Sequence, residues 1–239
     1  MTTTVNSSAE PLLIVILGVG LVAPVQLIAS RLARTECERW LGPDPRLSRS
    51  RALLWSALSV VLAAAMTSQI ATVPPLWAVT QQDSLALGLL SAIWVGSLVC
   101  AARIDLLVRL VPDRITLSLG VIGLFASLLG FSVPVFEAIG GGLLGFGLPW
   151  AIDRLLSMRR PSPSPTIGRG DLWLLAAMGV WLGVEGLPWV LALAGLLMVP
   201  VVLWGALARD WSRQTRLPFA PALAMAGLLV WPLVLSGAP

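Results

Sequence analysis

Polar and apolar residues alternate along this chain in blocks rather than in a short period. Eight apolar runs stand out, at 11–30, 52–73, 85–104, 115–133, 135–151, 172–187, 188–208 and 218–236. Each has roughly the 17 to 25 residues an α-helix needs to cross a bilayer. The sixth and seventh are divided only by Gly186, Leu187 and Pro188. Proline readily starts a helix and cannot continue one, so this point predicts a tight helical hairpin. The expected fold is all-α, a polytopic bundle of about eight transmembrane helices forming one membrane domain over 1–239.

The polar connections agree with that count. Arg31, Arg34, Arg39, Arg46, Arg49 and Arg51 lie in the connection 31–51, and Arg103, Arg109 and Arg114 in 103–114. Arg154, Arg159, Arg160 and Arg169 lie in 152–171, and Arg209, Arg213 and Arg216 in 209–217. These are all sixteen basic residues, on alternate connections, whereas the opposite side carries only Glu10, Asp83, Glu137 and Glu185. Basic loops stay cytoplasmic, which predicts that both termini lie outside the cytoplasm.

Composition supports lipid as the solvent: 57% of residues are hydrophobic, 12% are charged, and the mean hydropathy is +0.88. The excess positive charge belongs to loops beside a membrane, and no basic stripe with interleaved aromatics points to nucleic acid. The chain has no His, which excludes Ser-His-Asp and Cys-His hydrolysis and His-ligated zinc. Cys37 and Cys100 stand alone with no C-x-x-C pair, so no metal site is expected. The polar segment Met1 to Glu10 lacks a basic n-region, and the first apolar run is expected to be retained as an anchor. Arg159 to Pro165 (RRPSPSP) reads as an extended linker.

Proton chemistry in such a chain falls to carboxylates. Asp105 follows its apolar run and Asp171 precedes its own, so each is expected at the cytoplasmic end of a span and both at one depth, where ionisable groups tend to mark function. Each has a plainer reading. Asp171 could cap the following helix, and Asp105 could balance Arg103 or Arg109. Asp171 closes Gly168-Arg169-Gly170-Asp171, and the two glycines leave room for another chain, such as a substrate peptide, to approach. Asp105 opens the run Asp105-Leu-Leu-Val-Arg109-Leu-Val-Pro112-Asp113-Arg114-Ile115-Thr116, in which Pro112 ends one element and starts the next.

An Asp followed after a short spacer by V-P-D-x-x-T, with a later G-x-G-D, resembles the type IV prepilin peptidases, or leader peptidases. The resemblance covers roughly Leu85 to Leu187, the expected peptidase core, and Gly18 to Arg34 looks like a degenerate form of the family's first-helix segment. It implies a membrane aspartic endopeptidase in a bacterial inner membrane, cutting prepilin or pseudopilin leaders at the cytoplasmic face. Asp105 and Asp171 carry over as the catalytic pair, supported by Gly168, Gly170, Pro112 and Asp113. Two carboxylates held close do not both ionise easily, so such a pair holds a shared proton; which acid is the base stays open. No cofactor is implied for the peptidase, and S-adenosylmethionine only for the N-methyltransferase activity that some members add. Many members carry paired C-x-x-C motifs in the first cytoplasmic connection, where this chain has only Cys37, and Lys where it has Trp173.

Asp113, following Pro112, is expected to shape a turn or helix start, and Asp153 to form a solvated pair with Arg154. Gly140-Gly141-Gly142 with Gly145 and Gly147 lacks the G-K-[ST] of a phosphate loop, and predicts close helix packing instead. Of the eleven tryptophans, Trp77 and Trp189 fit an outer interface and Trp40 and Trp150 the cytoplasmic half, the rest packing. Two further functions stay open: a catalytically silent scaffold of a pilus or secretion system, motivated by the missing paired cysteines and Trp173, and a proton-coupled transporter using the same acids as a relay. A transporter would place its acids near the bilayer midplane between repeats, and no repeat is visible.

Overall fold

The structure is a computed structural model that describes residues 81–158, 167–208 and 217–235, together with the single positions Arg31, Thr35, Glu38 and Val61. The apolar runs 11–30 and 52–73, most of the connections 31–51 and 209–217, Cys37 and the linker 159–165 lie outside the described residues. What is described is all-helical: α1 Gln81–Val108, α2 Asp113–Leu128, α3 Val135–Ser157, α4 Arg169–Ala208 and α5 Ala220–Leu235. Three stretches, Ala86–Val108, Val135–Ser157 and Arg169–Leu207, are long and apolar enough to cross a membrane, and α5 is a shorter apolar helix. Phe136, Leu143, Trp204 and Leu207 stand fully outward, as side chains facing lipid would.

Helix ends differ from the expected limits where charge rather than geometry set them. The helix α1 runs on to Val108, so Asp105 belongs to its last turn and not to a connection. Likewise α3 continues past Pro149 to Ser157 and includes Asp153 and Arg154. A polar side chain at a helix end leaves the backbone ladder intact: Arg154 is exposed and Asp153 half-buried, Asp105 is buried among partners from the protein, and Pro149 forfeits only one bond.

The expected hairpin at Gly186 to Pro188 is displaced. Those residues are helical, and the break in α4 falls at Gly183, whose φ of 71° and ψ of −174° suit glycine alone. A straight helix of this length would span about 60 Å, twice the hydrocarbon thickness, so Gly183 divides it into two segments. The connection between α2 and α3 and the first turn of α3 satisfy backbone groups freed there. Ser132 Oγ donates to the Trp181 carbonyl (3.1 Å), and the Val184 N–H donates to Glu137 Oε2 (3.3 Å). The break is therefore a tertiary feature, capped from outside its own helix.

The predicted glycine packing of α3 holds. Gly141 crosses Gly179 backbone to backbone, and a side-chain carbon on Gly141 would lie 2.7 Å from the Gly183 carbonyl carbon. On Gly145 it would lie 2.8 Å from the Leu175 carbonyl carbon. Small residues at these crossings allow the helix axes to approach and gain dispersion contacts that lipid cannot replace.

Trp94, Trp181 and Trp231, from α1, α4 and α5, are fully buried in the core, with ring centroids 5.1, 5.8 and 5.7 Å apart. Trp181 Nε1 donates to the Leu119 carbonyl of α2 at 2.8 Å, and its ring edge sits over Gly123. Four helices thus meet on one aromatic cluster. Trp150 and Trp189 are exposed, consistent with interfacial positions.

Candidate active site

Both acids lie at the same end of the bundle, at the C-terminal turn of α1 and the N-terminal turn of α4. The first connection is built by the α1 terminus. Arg109 adopts a left-handed conformation (φ 57°), and its N–H returns to the Asp105 carbonyl at 2.8 Å, closing the helix one turn after the acid. An L-residue there costs roughly 1 kcal/mol, and the arrangement keeps the Arg109 charge within electrostatic reach of the Asp105 carboxylate. Pro112 then caps α2, its carbonyl accepting from the N–H of Ile115 (3.1 Å) and of Thr116 (3.4 Å).

Asp113 is the exposed first residue of α2, and its carbonyl accepts from the buried Thr116 Oγ1 at 3.0 Å. It acts as the helix start expected of it and stands apart from the buried acid. Asp153, beside Arg154, is half-buried in the last turns of α3.

The second motif folds as a helix start. Gly168 precedes α4, and its carbonyl accepts from the N–H of Asp171 (3.1 Å) and of Leu172 (3.2 Å). Asp171 is the third helical residue and not the cap. Its carboxylate turns back over Gly168, where a side-chain carbon would stand 3.1 Å from Asp171 Oδ2.

Gly170 has a use that differs from the expected one. It lies against the chain's own Val111, not against open space for a substrate: a side-chain carbon there would be 2.7 Å from the Val111 carbonyl oxygen and 2.8 Å from its Cβ. The two sequence motifs dock directly on one another through this glycine. Asp105 and Asp171 are thereby brought close enough for their charges to interact.

The two acids differ in setting. Asp171 is half-buried, with the Trp173 ring two residues on packed against Phe146 (4.9 Å between centroids). Asp105 is 5% exposed, and its Oδ2 accepts from the backbone N–H of Ala220 at 3.0 Å, the first residue of α5. The neighbouring Phe219 amide also acts electrostatically on this carboxylate. Sequence reasoning missed this partner. Pro218 and Pro221 signal that a helix begins there, but nothing local says which acid its free N–H groups will meet.

Two buried serines spend their hydrogen bonds on backbone. Ser91 Oγ donates to the Leu87 carbonyl, and Ser127 Oγ to that of Val133. Among the described residues no group of His, Cys, Asp and Glu could hold a metal ion.

Fold and site together define a membrane-embedded helical protein with an interacting aspartate pair at one end of its bundle. Residues 92–203, which contain both acids, match the type IV leader peptidase family. The chain is 36% identical to the prepilin leader peptidase/N-methyltransferase of Aeromonas salmonicida over 171 residues, covering 72% of this chain and 53% of that protein. It is 38% identical to the one from Dickeya chrysanthemi over 132 residues (54% and 44%), and 39% identical to the one from Klebsiella pneumoniae over 105 residues (43% and 44%). This chain, through the stretch that carries Asp105 and Asp171, belongs to the type IV leader peptidase family. It spans about half the length of the curated relatives it matches. No solved structure matches it.

Proposed function

We propose that this protein is a membrane aspartic endopeptidase that removes the leader from type IV prepilin-like proteins, with Asp105 and Asp171 as its catalytic pair. The docking of the two motifs through Gly170, which sets the acids within each other's field, carries the reading. The relatives, named as prepilin leader peptidases, support the same substrate class.

Two nearby carboxylates in a poorly solvated site hold one proton between them. One acid draws a proton from water as it attacks the scissile carbonyl. The other, protonated, donates a hydrogen bond to the carbonyl oxygen as charge develops there, and then supplies a proton to the departing amine. Exchange of the shared proton restores the pair for the next turnover.

The one-sided arginines support eight spans with both termini outside the cytoplasm, one membrane domain with its peptidase core at 85–187, and an acid pair facing the cytoplasm of a bacterial inner membrane. A leader would meet the pair there, just before its own apolar helix enters the bilayer. Since prepilin leaders are themselves usually basic, contact through the apolar helix, or local acids outweighing the basic rim, would have to hold the substrate.

Asp105→Asn and Asp171→Asn should each reduce cleavage of a co-expressed prepilin by at least ~10³-fold while the protein still inserts, as expected when one member of a proton-sharing unit is removed. Mass spectrometry of the pilin N-terminus reads cleavage and N-methylation together. Normal cleavage by either single variant would sink the proposal.

A further inference from the structure

The entry to α5 is a short segment between two prolines, Pro218-Phe219-Ala220-Pro221. Proline has no N–H, so Phe219 and Ala220 are the two donors within these four residues. Further in, the N–H groups of Ala222 and Leu223 turn back on the Phe219 carbonyl, both at 3.1 Å. The free donors of this helix start are therefore Phe219 and Ala220. The Ala220 N–H donates to Asp105 Oδ2 at 3.0 Å, on a helix 115 residues earlier in the chain, and the Phe219 amide beside it adds to the field on the same carboxylate.

Ala220 and Asp105 are both buried, Ala220 completely. A carboxylate offers about four acceptor positions, so the Ala220 bond fixes one oxygen in place and leaves lone pairs free for a second acid and a water. A rigid backbone clamp of this kind removes the rotamer freedom that an aspartate at a helix end would otherwise keep.

We infer that the N-terminal turn of α5 belongs to the reaction centre as a positioning element: the Phe219 and Ala220 amides orient Asp105 toward Asp171. The inference rests on the peptidase reading above. It adds a segment that neither sequence motif contains, and it makes Ala220 a positioning residue through its backbone rather than its side chain.

Ala220→Pro tests it, because proline deletes the N–H yet is well accommodated at the first position of a helix. Ala220→Gly keeps the donor and serves as the conservative counterpart. With the purified full chain in detergent and a synthetic prepilin leader, Ala220→Pro should lower kcat by roughly ten- to a hundredfold with KM within about twofold, as expected for a misoriented reacting group. Ala220→Gly should stay within about threefold of wild type on both parameters.

Hydrogen exchange gives a second arm that does not depend on turnover. Protection of the Phe219 and Ala220 amides should survive in Asp105→Asn, which retains an acceptor oxygen, and fall about tenfold in Asp105→Ala, which does not. Wild-type kcat in a monodisperse Ala220→Pro protein, or equal protection in Asp105→Ala and wild type, overturns the inference. If Ala220→Pro does not insert, the exchange arm decides alone. A wild-type chain that cuts no leader overturns the peptidase reading and the catalytic use of the clamp, while exchange still reports whether α5 holds Asp105.

Discussion

Gly170→Ala is the most direct challenge to the docking of the two motifs. The added methyl carbon would stand 2.7 Å from the Val111 carbonyl oxygen, 2.8 Å from its Cβ and 3.2 Å from its Cα. Restoring ordinary contact near 3.4 Å requires the start of α4 and the turn before α2 to separate by about 0.7 Å, and Val111 is itself packed in the core. Overpacking of this kind costs roughly 1–3 kcal/mol. Under the proposed mechanism, a displacement of the acids approaching 1 Å lowers turnover by about 10²-fold. Cleavage of a synthetic leader by purified protein, with thermal unfolding measured in the same detergent, should show a loss of turnover at assay temperatures well below the midpoint. Gly147→Ala is the matched control, since nothing lies within 4 Å of its added carbon. If Gly170→Ala turns over like Gly147→Ala, the motifs do not dock as described and the argument for the pair's geometry fails.

Two further outcomes probe the scaffold. Glu137→Ala removes the acceptor for the Val184 N–H at the break in α4 and should lower stability by about 1 kcal/mol, whereas Glu137→Gln keeps an acceptor and should lose less than half of that; equal melting of the two variants would argue against the cap. Trp181→Phe leaves the Leu119 carbonyl without its indole donor and opens a gap over Gly123, so unfolding free energy in a mild detergent should drop by roughly 2–4 kcal/mol, and an unchanged value would show that the aromatic cluster is not the mechanical centre of the bundle.

Much of this protein is legible along the chain because the bilayer imposes simple rules. Length and apolarity alone mark the helices, since every backbone group in lipid must be bonded within its own segment. The α-helical class, the candidate acids and the close packing of Gly141 and Gly145 follow from residue type and spacing. The apolar pattern stops short of the helix ends near Asp105 and Asp153 because a charged residue looks like a boundary, although a helix carries one wherever interfacial water or a packed segment receives it.

Other features exist only because distant segments meet. Gly183 breaks α4 in preference to the Gly186 to Pro188 stretch because Ser132 and Glu137, from other parts of the fold, satisfy the groups freed there. Gly170 reads as an opening for substrate until Val111 is found filling it. The partner of Asp105 is the Ala220 backbone amide, and a backbone amide is the same in every residue but proline; no side chain at 219 or 220 announces it. Residue type and spacing therefore determined the membrane helices and nominated two acids. Only the tertiary structure decided what holds those acids in place, because that depends on which helix ends pack together.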